Sequence, residues 1–252
     1  MAAGTSDKAP FVDRYRPWLY ALAKFFLLAF YRVVYRMRVV GLERVPREGP
    51  MLVASNHASH LDPPAVGISM PRPVRIMAKK ELFSVPVLGW LISGLGAIPV
   101  SRGGADRRAV ETMGGLLRTG ATVLIFPEGT RTLDGRLQEP KAGVGWLALQ
   151  MPDCWIVPVY VTGTYAAWPK GRRFPRPGRI TIHVGDPFRT SAALESIRSR
   201  AGEGSTPADS TTGMGAEPGE ENQGLGAKKR LYWALAEEIM ASIATVQRGT
   251  SR

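Results

Sequence analysis

A single cysteine, Cys154, stands in the 252 residues, which excludes an intramolecular disulfide framework and a thiolate metal site. No G-x-S-x-G elbow, GxxxxGK[ST] loop, GxGxxG turn or HExxH helix occurs, so the commonest serine hydrolase, nucleotide-binding and zinc protease chemistries have no foothold. The three histidines, His57, His60 and His183, do not have the spacing of a metal cluster. Negative charge is also scarce: 21 Asp plus Glu against 33 Lys plus Arg leave a formal charge of +12. That balance points to an anionic partner, whether nucleic acid, an anionic membrane surface or a phosphorylated substrate. No nucleic-acid module and no aromatic stacking motif lies among the cations, so nucleic acid is not expected.

Long hydrophobic runs are missing too. The run Trp18–Tyr31, broken by Lys24, falls short of the ~20 residues of a spanning helix. The first ten residues lack the basic and apolar regions of a secretory signal, so export is not expected. Residues 17–37 read as a helix in which Leu19, Leu22, Phe26, Phe30, Val33 and Met37 form an apolar stripe opposed by Lys24, Arg32 and Arg36. Such an amphipathic helix suits a bilayer interface or a protein core equally.

What is present is enough for one sizeable core: 44% of residues are hydrophobic. Strands are predicted at Met51–Ser55, Val74–Ala78, Ala97–Val100, Thr122–Phe126, Trp155–Val161 and Arg179–Val184. Helices are predicted at Pro63–Ser69, Val85–Leu95, Asp106–Arg118 and Lys141–Gln150. Alternation of this kind gives an α/β fold with a mixed, partly parallel sheet flanked by helices, preceded by the N-terminal amphipathic helix. The organisation reads as a membrane-associating helix at 1–37, an α/β domain at 38–200, a disordered acidic insert at 201–226 that lacks Lys and Arg, and a C-terminal helix and tail at 227–252.

Two polar segments follow strands directly. The first is Asn56-His57-Ala58-Ser59-His60-Leu61-Asp62-Pro63-Pro64. A turn can return Asp62 to one imidazole nitrogen of His57, leaving the other to take a hydroxyl proton. Asp62 ahead of two prolines is equally a helix N-cap. The second is Phe126-Pro127-Glu128-Gly129-Thr130-Arg131, where Arg131 offers a planar fork to a phosphate and Glu128 an acceptor for a hydroxyl. An intra-loop Glu–Arg pair is the alternative. A third strand, in Gly96–Arg102, delivers Arg102 at its end. Cys154 reads as a small core residue.

In this order and spacing, the segments resemble the 1-acylglycerol-3-phosphate acyltransferase (lysophosphatidic acid acyltransferase) family of glycerolipid acyltransferases. Its NHxSxxD block corresponds to Asn56–Asp62, its FPEGTR block to Phe126–Arg131, its arginine-terminated block to Gly96–Arg102 and its VPV strand to Val157–Val159. The likeness spans roughly residues 38–187. It departs at Pro99 and Ser101, where the family usually reads G-x-I-F-I-D-R, which bears on acceptor identity.

The resemblance implies an enzyme of phospholipid biosynthesis that moves a fatty acyl group from acyl-CoA or acyl carrier protein to the 2-hydroxyl of the lysophospholipid 1-acylglycerol-3-phosphate, giving phosphatidic acid. His57 is then the general base and Asp62 its orienter. Glu128 contacts the acceptor's glycerol part within the loop that includes Gly129 and Thr130, and Arg102 and Arg131, with Lys79, neutralise its phosphate. No metal or other cofactor is implied, and the cytoplasmic face of the membrane is the expected location, peripheral or monotopic. Another acceptor (glycerol-3-phosphate, a different lysophospholipid, a glycolipid) and a non-catalytic basic binding protein are the rivals.

Overall fold

The computed structural model describes residues 14–101, 107–151, 153–203 and 220–250. Helix α1 (Pro17–Val34) opens the described chain, followed by strand β1 (Arg38–Val40) and the fully buried β2 (Met51–Ser55). Then come α2 (Asp62–Ser69), β3 (Val74–Lys79), α3 (Pro86–Gly94), β4 (Ile98–Val100), α4 (Arg107–Arg118), β5 (Thr122–Ile125) and α5 (Ala142–Leu149). The chain continues through β6 (Trp155–Thr162), α6 (Thr164–Ala167), β7 (Thr181–Val184), β8 (Phe188–Arg189), α7 (Thr190–Glu203) and α8 (Glu220–Thr250).

The strands form one sheet in the order β1-β7-β6-β2-β5-β3-β4, with β8 also on β6. Strands β3, β5, β2 and β6 run parallel, whereas β7 and β8 are antiparallel to β6. The sheet is therefore mixed and mostly parallel. Strand period divides the core into two layers. Met51 and Val53 face a cluster that includes Tyr31, Tyr35, Leu61 and Val66; Leu52 and Ala54 face one built from Leu117, Leu147, Leu235 and Ile239. Helices thus cover both faces, as a parallel sheet demands.

Six strands and four helices fall where the sequence pattern places them, within a residue or two. Strands β1 and β8 and helices α6 and α7 were not expected. The expected acidic insert narrows, because residues 201–203 finish α7 and residues 220–226 begin α8; residues 204–219 lie outside the described residues. Helix α1 ends at Val34, earlier than Met37, because Arg36 takes a left-handed φ of 44° that turns Met37 into the core.

Helix α1 turns much of its apolar stripe outward and anchors its inward face by hydrogen bonds: the Tyr20 hydroxyl donates to the Gly67 carbonyl, Lys24 Nζ to that of Met70 at 2.6 Å, and the Tyr31 hydroxyl to that of Leu61. Alongside these anchors Leu27, Leu28 and Val34 pack on the core. Lys24 is thus bound to the end of α2 rather than sharing a solvent-facing cationic side with Arg32 and Arg36. Of the expected stripe, Leu19 and Met37 are buried, while Leu22, Phe26, Phe30 and Val33 point outward together with Trp18 and Phe25. By length and composition α1 could cross a bilayer.

Candidate active site

The parallel strands end along one edge of the sheet, and the polar segments after β2, β5 and β6 meet there, the position where open α/β sheets assemble ligand sites. Directly after β2, Asn56 extends the pairing with its side chain: Nδ2 donates to the Val161 carbonyl at 3.1 Å, and Oδ1 accepts from the Val161 amide at 2.7 Å. This double bond to β6 fixes the chain one residue before His57.

Asp62 is 0% exposed and is the first residue of α2. It makes no side-chain cap; instead Oδ2 accepts from the amides of Ala58 and Ser59, each at 2.6 Å, and lies 3.0 Å from His57 Nδ1. Of the two readings open in the sequence, the geometry is that of the ring partner. An ionised carboxylate there holds the Nδ1 proton, so Nε2 is left as the acceptor. The imidazole also stacks on Phe126, with centroids 4.0 Å apart and planes 21° apart, which limits its rotation.

Glu128, expected to contact the acceptor, is 1% exposed, and its carboxylate is engaged by neighbouring protein groups. Oε1 accepts the His57 amide at 2.8 Å and Oε2 accepts Gln138 Nε2 at 2.9 Å. Desolvation raises its pKa, opposed by these hydrogen bonds. The intra-loop pair with Arg131 is not what engages this carboxylate. From the far side, the Thr132 amide donates to the His57 carbonyl at 2.9 Å, so the two loops are stitched on both edges of one peptide segment. Gly129 has a φ of 68°, and a Cβ there would come within 3.1 Å of Lys141 Cγ, which explains the glycine between the glutamate and the exposed Thr130.

His57 opens on a cavity of about 1270 Å³. Lys79 at the end of β3 and Arg131 after β5 line it, with Gly129 and Thr130. Partial desolvation, and then the positive charges of Arg131 and Lys79, hold His60 below its ordinary pKa. Apolar side chains from α1, α2 and α3 complete the wall, among them Leu27, Ile68, Leu88 and Ile92. Ser101, one of the departures from the family pattern, lines the same cavity. Arg102 lies outside the described residues. Cys154 is buried in the core, where burial pushes its thiol up to about 12, a value unsuited to a nucleophile. Among the described residues no group of three or more His, Cys, Asp or Glu could hold a metal ion. Gln138 carried no signal in the sequence, standing ten residues from the carboxylate it holds.

A carboxylate-oriented histidine thus faces a largely apolar cavity at the edge of the sheet. The acyltransferase family's sequence model matches residues 36–162, and the chain belongs to that family. It is 31% identical over 178 residues to a chloroplastic 1-acyl-sn-glycerol-3-phosphate acyltransferase of Arabidopsis thaliana, covering 67% of this chain and 49% of that protein. It is 29% identical over 180 residues to a 1-acyl-sn-glycerol-3-phosphate acyltransferase of Bacillus subtilis, covering 66% and 87% respectively. The crystal structure of the 1-acyl-sn-glycerophosphate acyltransferase PlsC from Thermotoga maritima superposes with a TM-score of 0.66 at 24% identity, over 93% of this chain and 80% of that one, and shares its fold. The chain spans about half the length of the plant relatives it matches.

Proposed function

We propose that this chain transfers a fatty acyl group from a thioester to the 2-hydroxyl of 1-acylglycerol-3-phosphate, giving phosphatidic acid. The observation that carries the reading is the cavity: one wall holds His57 beside Lys79 and Arg131, and aliphatic side chains such as Leu27, Ile68, Leu88 and Ile92 make up much of the rest, the profile of a phosphorylated lipid. In the reaction His57 Nε2 takes the hydroxyl proton as the oxygen attacks the thioester carbonyl. The C–S bond then breaks, and the proton passes to the departing thiolate. Asp62 stabilises the imidazolium formed between these steps, and no covalent acyl-enzyme is needed, because the thioester is already activated and positioning supplies much of the acceleration.

The test is thiol release from palmitoyl-CoA by purified protein in detergent, with and without 1-acylglycerol-3-phosphate, with the lipid product identified by mass spectrometry. Acceptor-dependent release with formation of phosphatidic acid is expected; acceptor-independent hydrolysis, or no release, would refute the reading. Ser101 in the cavity wall gives one specific reason to include glycerol-3-phosphate and other lysophospholipids as acceptors. Preference for one of them would keep the chemistry and change the substrate.

The same reading places the protein on the cytoplasmic face of a membrane. Because Tyr20, Lys24 and Tyr31 fasten α1 to α2, α1 would lie along the surface rather than cross it, with Phe25 and Phe26, 66% and 61% exposed, in the acyl chains. Exposed Val87 and Trp90 of α3 adjoin it, since the Arg16 amide donates to the Gly94 carbonyl and the Arg16 guanidinium lies over Trp90. The variant Phe25→Ser/Phe26→Ser should lose binding to phosphatidylglycerol vesicles while keeping its Tm. Unchanged binding would place the docking surface elsewhere.

A further inference from the structure

The strand ends around His57 carry positive charge on both sides. In the sheet order β6-β2-β5-β3, His57 follows β2, with Arg131 and Lys79 on the β5 and β3 side. On the β6 side runs the loop Trp168–Arg179, which contains Lys170, Arg172, Arg173, Arg176 and Arg179. No Asp or Glu occurs anywhere between Tyr160 and Gly185. Among the described residues none of these cations has a carboxylate partner. Lys170 lines the cavity itself. Unpaired cations repel one another, and a surface that gathers them without counter-charge is suited to an anionic ligand.

The loop is built rather than slack. Ser59 Oγ, from the His57 segment, donates to the Trp168 carbonyl at 2.8 Å. The Trp168 indole donates to the Arg172 carbonyl at 2.9 Å, and the Arg176 amide to the Ala167 carbonyl at 2.9 Å. Gly171 takes the turn at a φ of 93°. The indole ring lies 5.2 Å from that of His60. At the rim Phe174 is 67% exposed, with the Arg173 guanidinium 5.3 Å from its ring centroid.

We propose that this loop is the subsite for the nucleotide part of coenzyme A, with Lys170, Arg172, Arg173 and Arg176 taking its phosphates and Phe174 offering a face to its purine. The inference rests on the acyl-transfer reading, which requires two anionic substrates at one histidine: an acceptor phosphate and a phosphate-bearing thioester. The sheet supplies one cationic cluster on each side of that histidine, so the two substrates approach from the β5 side and the β6 side. A compact cluster on one loop next to an exposed ring matches several phosphates and a base. A carrier protein would instead need a broad surface. Guanidinium forks suit phosphate oxygens, and a loop already held by its own hydrogen bonds loses little entropy on binding.

The test uses the full chain and the variants Arg172→Ala/Arg173→Ala/Arg176→Ala and Phe174→Ala, with melting curves to show that they fold. Calorimetric titration with CoA and with pantetheine, without acceptor, reads the subsite independently of turnover. The unaltered protein should prefer CoA, with binding weakened by salt. The triple variant should lose most of that preference, and its KM for palmitoyl-CoA should rise about tenfold or more with little change in the acceptor's KM. CoA binding equal to that of the unaltered protein would overturn the proposal. So would a rise confined to the acceptor's KM, to acyl carrier protein thioesters or to binding of phosphatidylglycerol vesicles. If the unaltered protein binds CoA through the loop yet releases no thiol with any acceptor, the acyl-transfer reading fails and the subsite stands.

Discussion

Asp62 and Glu128 are both buried carboxylates beneath His57, yet they hold it by different parts. Asp62 holds the imidazole through Nδ1, and its Oδ1 has no protein partner among the described residues. Glu128 holds the main chain through the His57 amide, and both of its oxygens are engaged. A carboxylate on the ring sets which nitrogen is free to accept a proton; one on the backbone sets where the ring stands. In the proposed reaction the first therefore acts on the chemical step, and the second on stability and geometry.

Substitutions can break or sharpen that division. His57→Ala, which removes the imidazole that Asp62 holds and leaves the main-chain amide to Glu128, should cost about 10⁴-fold in kcat at unchanged Tm. Retained turnover would end the general-base mechanism. Asp62→Asn can keep an acceptor for the Ala58 and Ser59 amides but offers no charge to the ring. We expect a loss of about 10²- to 10³-fold in kcat with a small change in Tm. If instead Tm falls and kcat per folded molecule holds, Asp62 merely organises the turn. Glu128→Ala leaves the His57 amide without its acceptor and should cost about 1–3 kcal/mol of stability, roughly 2–4 °C in Tm per kcal/mol. Glu128→Gln, whose amide oxygen can still accept from His57, should recover most of it. A rise in the acceptor's KM at unchanged Tm in Glu128→Gln would instead restore the direct contact expected from sequence.

The sequence made the strand ends and their motifs legible because both are local. A β-branched or aliphatic run followed by polar residues marks a strand end, and His57 and Asp62 lie close enough in the chain to meet in one turn. What it left out is non-local. The inward direction of the Glu128 carboxylate depends on His57, 71 residues away. The outward face of α1 depends on carbonyls at the end of α2 that satisfy Tyr20 and Lys24; periodicity gives a stripe but not the side it faces. Strands β1 and β8, of three and two residues, are too short to show a period. The cations of Trp168–Arg179 form no motif, and their place beside His57 follows only from the pairing of β6 with β2.

The smallest expected effect tests whether the grip on the backbone is electrostatic. Gln138 donates to Glu128 Oε2 and so favours the ionised carboxylate, against the desolvation that raises its pKa. A raised value means that the folded protein holds this proton more tightly than the unfolded chain. The stability linked to it is fully present below the ordinary glutamate value and is lost as pH rises through the raised one. Gln138→Leu removes a favourable bond to the charged form, pushes the value further up, and should steepen that loss. Its Tm should therefore lie close to that of the unaltered protein near pH 4 and fall below it as pH rises toward 8, by an amount corresponding to about 1–2 kcal/mol. Thermal melts of both proteins across that range read the difference directly. A gap that stays constant with pH would show that Gln138 contributes by packing and that the ionised state of Glu128 does not depend on it.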